Sequence, residues 1–139
     1  MYRIRYAAES DKSFWFITDK SMDEVTFESK ISNNMAYIFE ERQVKIGILR
    51  YSLFGDSIPF CNLIGITESC RRKGCGRALL QYWEQDMRSR GYSLAMVSCY
   101  IDEEIHLFFR KTGYREAGGL VIPDKHGNDK MKILMLKQL

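Results

Sequence analysis

The sequence predicts a mixed α/β fold, a twisted sheet of six or seven strands with about four helices on its faces. Three observations predict it. Segments of two-residue apolar alternation take turns with segments of helical period along the chain. Only two prolines, Pro59 and Pro123, punctuate it, and no linker, repeat or low-complexity stretch divides it. Its 139 residues are 45% hydrophobic and 13% aromatic, enough for one core, so a single domain over residues 1–139 is expected.

Residues 2–7 set Tyr2, Ile4 and Tyr6 against Arg3 and Arg5, the alternation of a strand. Residues 11–18 carry Phe14, Trp15, Phe16 and Ile17 and read as a short helix. Ser21-Met22-Asp23-Glu24 matches a capping box, with Ser21 as cap and Glu24 reaching back, opening a helix that runs to about Asn33. Residues 35–40 and 44–54 form a hairpin across Glu41-Arg42-Gln43. The loop Gly55-Asp56-Ser57 precedes a fourth strand, Phe60 to Ile66. Residues 75–90 are the clearest helix: Leu79, Leu80, Trp83 and Met87 make an apolar stripe, and Glu84 and Arg88 sit four apart on the outer face. Gly91 suits the position after its end. A strand at 93–99 follows, then a helix at 103–111 ended by Gly113, and strands near 114–122 and 130–137, with Gly118-Gly119 marking a bulge or bend.

Charge is nearly balanced, 21 basic against 18 acidic residues for a net +3, which argues against a nucleic-acid or membrane partner. No apolar run approaches the roughly 18 residues of a membrane span, and the start carries no secretory apolar segment. Cys61, Cys70, Cys75 and Cys99 form no C-x-x-C pair, and His106 and His126 supply no zinc spacing. The cysteines read as reduced thiols of a cytoplasmic protein without a metal site.

The chemically informative stretch is Ile64-Gly65-Ile66-Thr67-Glu68-Ser69-Cys70-Arg71-Arg72-Lys73-Gly74-Cys75-Gly76-Arg77. An apolar strand enters a basic, glycine-containing loop and an amphipathic helix starts at once. The first amides of a helix lack internal acceptors and sit at the positive end of its dipole. Gly74 and Gly76 let the backbone approach an anion closely, and Arg71, Arg72, Lys73 and Arg77 add charge. No Walker A loop is present, and Leu79 occupies the third glycine place of the dinucleotide fingerprint. Neither common nucleotide fold fits.

Arg71-Arg72-Lys73-Gly74-Cys75-Gly76 after Ile64-Gly65-Ile66, together with Phe108-Phe109-Arg110-Lys111-Thr112-Gly113-Tyr114 further on, resembles the GNAT superfamily of N-acetyltransferases. The resemblance implies the GNAT-like fold and acetyl-CoA as acyl donor. It places the diphosphate on the amides of residues 72 to 77, beside Arg71, and the pantetheine arm along the backbone of Ile64 and Ile66. Asp102 and Phe109 fall at cofactor-facing positions of the family, and both depart from it. Where the family has a tyrosine as acid, Phe109 cannot donate a proton; where it often has asparagine, Asp102 cannot donate when ionised. Three alternatives follow: Tyr100, Cys99 or water protonates the departing thiolate, the thiolate leaves unassisted, or the domain binds coenzyme A without turnover.

For the base, Glu68 and Asp56 are candidates, His106 less so, and His126 reads as a loop residue. Phe14, Trp15, Phe16, Tyr51 and Phe54 are candidates for an acceptor pocket. The expected function is acetyl transfer to a primary amine of a small molecule or peptide. The rivals are a non-catalytic coenzyme A-binding or regulatory module and a small nucleic-acid-binding domain. A homodimer is compatible with the resemblance.

Overall fold

The computed structural model describes residues 1–139. The strands are β1 (Tyr2–Tyr6), β2 (Ala36–Glu41), β3 (Val44–Phe54), β4 (Ile58–Ile66), β5 (Leu94–Tyr100), β6 (Arg115–Pro123) and β7 (Asp129–Gln138). The helices are α1 (Lys12–Thr18), α2 (Glu24–Ser32), α3 (Cys75–Ser89) and α4 (Ile105–Lys111). Seven strands hydrogen-bond in the order β1-β2-β3-β4-β5-β7-β6. The expected mixed α/β architecture and element order hold. By contacts the chain forms two compact units, Met1–Ser52 with Asn62–Asp86, and Leu53–Cys61 with Met87–Leu139.

In the first unit β1 pairs antiparallel with β2 from Tyr2↔Glu41 to Tyr6↔Tyr37, and β2 pairs antiparallel with β3. The β2–β3 turn uses Arg42 at φ 51° and Gln43 at φ 67°, two left-handed residues that match the twist of the flanking strands. Trp15, Phe27, Ala36, Ile38 and Ile48 form a buried cluster, with Phe14, Phe16, Ile31 and Leu63 packed against it. The stripe Leu79, Leu80, Trp83 and Met87 of α3 is fully buried, and Trp83 packs on Tyr51 at 5.9 Å between rings.

Three local expectations are corrected. The cap of α2 is Asp23, whose Oδ1 accepts from the Thr26 amide at 2.7 Å; the Ser21 hydroxyl instead donates to Asp19 Oδ1 at 2.9 Å. Asp19 holds Ser21 because it is itself a buried carboxylate bridged to Arg50 at 2.8 Å. Glu84 is not on the outer face: it is only 3% exposed, because it lies one turn beyond Leu80 on the flank of the buried stripe. Strand β4 starts at Ile58 and takes in the buried Pro59.

A second polar centre ties the start of the chain to the sheet. Asp11 is fully buried and accepts from Arg5 Nη1 at 2.7 Å, from Arg5 Nη2 at 2.9 Å and from the Ala8 amide at 2.7 Å, with Lys45 Nζ 2.8 Å away. Burial alone would raise its carboxyl, but these donors hold it below the usual carboxylate range.

In the second unit β4 pairs parallel with β5 at Phe60↔Met96 and Cys61↔Val97. Strand β5 pairs antiparallel with β7 from Leu94↔Gln138 to Tyr100↔Lys132. The β6–β7 ladder shifts register between Glu116 and Gly118, with Gly118 at φ 152°, so the expected bulge is present. Gly91 at φ 93° closes α3: its amide reaches Arg88 O and the Tyr92 amide reaches Met87 O. Gly113 at φ 103° closes α4 in the same manner. No helix is long and apolar enough to cross a membrane. All four cysteines are free thiols.

Candidate functional site

The site grows from the end of β4. The Thr67 amide donates to Ile46 O at 2.8 Å, which pins the strand end to β3. A 3₁₀ turn over Glu68–Cys70 follows, closed by the Cys70 amide on Thr67 O and the Arg71 amide on Glu68 O. Arg71 folds back and donates Nε–H to Ile66 O at 3.0 Å. Then Arg72 at φ 63° and Gly74 at φ 81° place two left-handed residues on either side of Lys73. Left-handed residues in a turn are a feature of the amide concavities that bind anions. Gly74 O accepts from the Ala78 amide at 3.0 Å and so opens α3. The amides of Cys75, Gly76 and Arg77, in the first turn, have no helical carbonyl to reach.

The two glycines that the sequence reading treats alike have different roles. Only Gly74 is left-handed, and a Cβ on it would meet nothing within 4 Å. Gly76 lies inside the first turn of α3. Arg71, Arg72, Lys73 and Arg77 are all exposed. Cys75 is half-buried and burial raises its thiol, so it remains a neutral thiol in the loop. A recess of about 180 Å³ is lined by Tyr2, Phe39, Glu41, Lys73, Gly74, Cys75 and Ala78.

Ile64 and Ile66 are half-buried on β4, as expected. Gly47 is a structural residue that sequence reasoning missed. A Cβ there would stand 2.7 Å from Ile66 Cδ1 and 3.2 Å from Gly65 O, so Gly47 lets β4 seat against β3. The available signal was a glycine inside a strand pattern.

Residues 64 to 77 therefore come together in one unit, with Glu68 exposed at the entrance of the loop. Tyr100, Asp102 and Phe109 belong to the other unit. Tyr100 is half-buried; its amide donates to Glu103 Oε1 at 2.6 Å, and the ammonium groups of Lys130 and Lys132 stand 5.4 and 5.3 Å from its ring centre. Asp102 is exposed beside a recess that it lines with Tyr100, Ile101, Asp129, Lys130 and Met131. Phe109 is a core ring, 2% exposed, packed on Phe108 and Tyr114.

Other candidates take structural places. Trp15 and Tyr51 are fully buried core, Phe14 and Phe16 are half-buried, and Phe54 is exposed. His106 Nε2 lies 2.8 Å from Glu116 Oε1. A hydrogen bond from its own backbone, and then His106, hold the Glu116 carboxyl low. Asp56 and His126 are exposed loop residues. Cys99 is buried, and burial raises its thiol.

The family model for the acetyltransferase (GNAT) domain matches residues 32–116. No curated protein sequence matches the chain. Among solved structures, the chain is similar to the ribosomal-protein-S18-alanine N-acetyltransferase from Escherichia coli (TM-score 0.82, 17% identity, 99% of this chain and 94% of that one). It is similar to Ard1 from Thermoplasma volcanium (TM-score 0.87, 14% identity, 99% and 97%). It is also similar to a GNAT family acetyltransferase from Elizabethkingia anophelis with acetyl-CoA bound (TM-score 0.75, 13% identity, 99% and 98%). At these identities the likeness is one of fold, while the family model spans more than half of the chain. With the basic loop between β4 and α3 inside the matched residues, the chain belongs to the GNAT family of acetyltransferases.

Proposed function

We propose that the protein transfers an acetyl group from acetyl-CoA to a primary amine. The observation that carries this reading is the loop at Arg71–Arg77, where left-handed Arg72 and Gly74 stand directly ahead of a 15-residue helix. A Gly74 Cβ would meet nothing within 4 Å, so the backbone there is open to a diphosphate. The amides of residues 72 to 77 hold it, with charge from Arg71, Arg72, Lys73 and Arg77. The backbone of Ile64 and Ile66, beyond the Phe60–Cys61 ladder, takes the pantetheine arm as an added strand.

Acetyl-CoA supplies an acetyl group already activated as a thioester. The chain's part is to hold it in line with the amine, which accounts for much of the rate in a two-reactant transfer. A β4 amide donates toward the carbonyl oxygen where negative charge develops. The amine must arrive without its extra proton, since a free alkyl ammonium holds it to a pKa of about 10; exposed Glu68 takes that proton through water. Phe109 is a buried phenyl ring and supplies no proton to the departing thiolate. The thiolate leaves unassisted or takes its proton from water.

The buried Phe109 also favours a second reading, a coenzyme A-binding module without turnover. Calorimetry with coenzyme A, followed by thiol release from acetyl-CoA over a panel of small amines and peptides, tests both. Saturable binding with amine-dependent thiol release is expected. Binding with no release on any amine supports the module, and no binding removes both. Salt-dependent affinity for DNA or RNA without coenzyme A binding would favour the basic loop as a nucleic-acid site.

A further inference from the structure

One residue of β4 is a glycine for no reason that the fold supplies. Leu63 packs against the core cluster of the first unit with Phe14 and Phe16. Two residues on, Gly65 shares that face of the strand and presents no side chain to it. Its φ is not left-handed. A Cβ on it would stand 3.6 Å from Ile48 Cγ1 and 3.9 Å from Thr18 Cγ2, both ordinary contacts. Gly47, its counterpart on β3, is different, because a Cβ there would collide with Ile66. Glycine weakens a strand, and without a turn or a collision to justify it, it marks the close approach of something else. The hydroxyl of Thr67, two residues further along, is buried without a hydrogen-bond partner. Thr18 closes the gap from the end of α1, and its own hydroxyl is committed to Phe14 O at 2.9 Å.

We propose that Gly65 and Thr18 bound the space that receives the acyl group, and so set the length of acyl chain the protein accepts. This rests on the donor site proposed above. An extended pantetheine arm covers about four or five strand residues at roughly 3.3 Å each. Laid back along β4 from the loop, it brings the thioester to the Leu63–Gly65 stretch. The bare Gly65 leaves room beside the acetyl methyl, and the donor class is the short aliphatic acyl thioesters, propionyl as well as acetyl.

The test measures affinities of coenzyme A, acetyl-CoA, propionyl-CoA and butyryl-CoA by calorimetry, which needs no knowledge of the acceptor. The wild-type protein is expected to bind acetyl- and propionyl-CoA within about threefold of each other. Gly65→Ala is expected to weaken propionyl-CoA about tenfold relative to coenzyme A itself, the scale on which a methylene is discriminated. Thr18→Ser removes the methyl that faces Gly65 and keeps the hydroxyl; it is expected to shift preference toward butyryl-CoA. Relative affinities unchanged in Thr18→Ser, or in a folded Gly65→Ala, with coenzyme A still bound, would overturn the assignment and leave the donor site standing. Failure of the wild-type protein to bind coenzyme A would overturn the donor site and this inference together.

Discussion

Arg72 and Gly74 shape the loop, and they differ in what they tolerate. Arg72 is left-handed at φ 63° despite its Cβ, a conformation that costs a side-chain-bearing residue about 1 kcal/mol or more. Gly74 is left-handed and open, so a β-branched residue there is strained and also enters the cradle. Gly74→Val is expected to lower coenzyme A affinity at least tenfold by calorimetry, while the melting temperature moves by only a few degrees. Phe109 belongs to packing. Restoring the family tyrosine by Phe109→Tyr puts a hydroxyl into a buried ring cluster, and an unpaired hydroxyl there costs about 1–3 kcal/mol. A lower melting temperature is expected. The basic, glycine-containing loop between β4 and α3 was legible in sequence because loop chemistry is local. The split between Gly74 and Gly76, the burial of Glu84 and the open face of Gly65 were not, because each depends on which neighbours tertiary packing supplies.

Helix α3 and the β2–β3 hairpin were legible almost residue for residue, since periodicity alone specifies a helix stripe and a strand pair. The start of α2 was not. Two acceptors, Ser21 and Asp23, compete for the cap, and the buried Asp19–Arg50 bridge claims Ser21. The weight of α3 rests on Trp83, which is fully buried. Trp83→Ala is expected to cost about 3–5 kcal/mol in denaturant unfolding. The outer end of the same helix is pinned by Asp86, which accepts from Tyr6 at 2.9 Å and Tyr37 at 2.5 Å. Burial and the neighbouring Asp86 both push the Tyr37 hydroxyl up, so it stays a donor at any working pH. Tyr37→Phe is expected to cost about 1–2 kcal/mol, read from the same unfolding curves.

At the scale of the whole molecule, the acid response is carried by buried carboxylates, Asp19 beside Arg50 and above all Asp11. Its carboxyl is held below the ordinary range, so the folded state binds its proton more weakly than the unfolded chain does, whose Asp titrates near pH 4. That stabilisation is complete above the unfolded value and is lost as pH falls through the folded one. Stability is therefore expected to be flat from about pH 7 to 5 and to decline below about pH 4. Asp11→Asn is expected to lose about 3 kcal/mol at pH 7 and to flatten the acid limb, because Arg5 and Lys45 lose a buried partner.

The edge at β6 shows the opposite economy. All nine of its residues are exposed, yet the bulge at Gly118 and the terminal Pro123 interrupt the backbone that another strand would pair with. Element order and sheet type could be read from sequence at this scale. The strand order could not, because it follows from which strands become neighbours.

A crystal of the protein soaked in coenzyme A tests the donor site most directly. The diphosphate is expected within hydrogen-bonding distance of the amides of residues 72 to 77, with the pantetheine arm beside Ile64 and Ile66. Coenzyme A found elsewhere on the protein, with that loop unliganded, would contradict it.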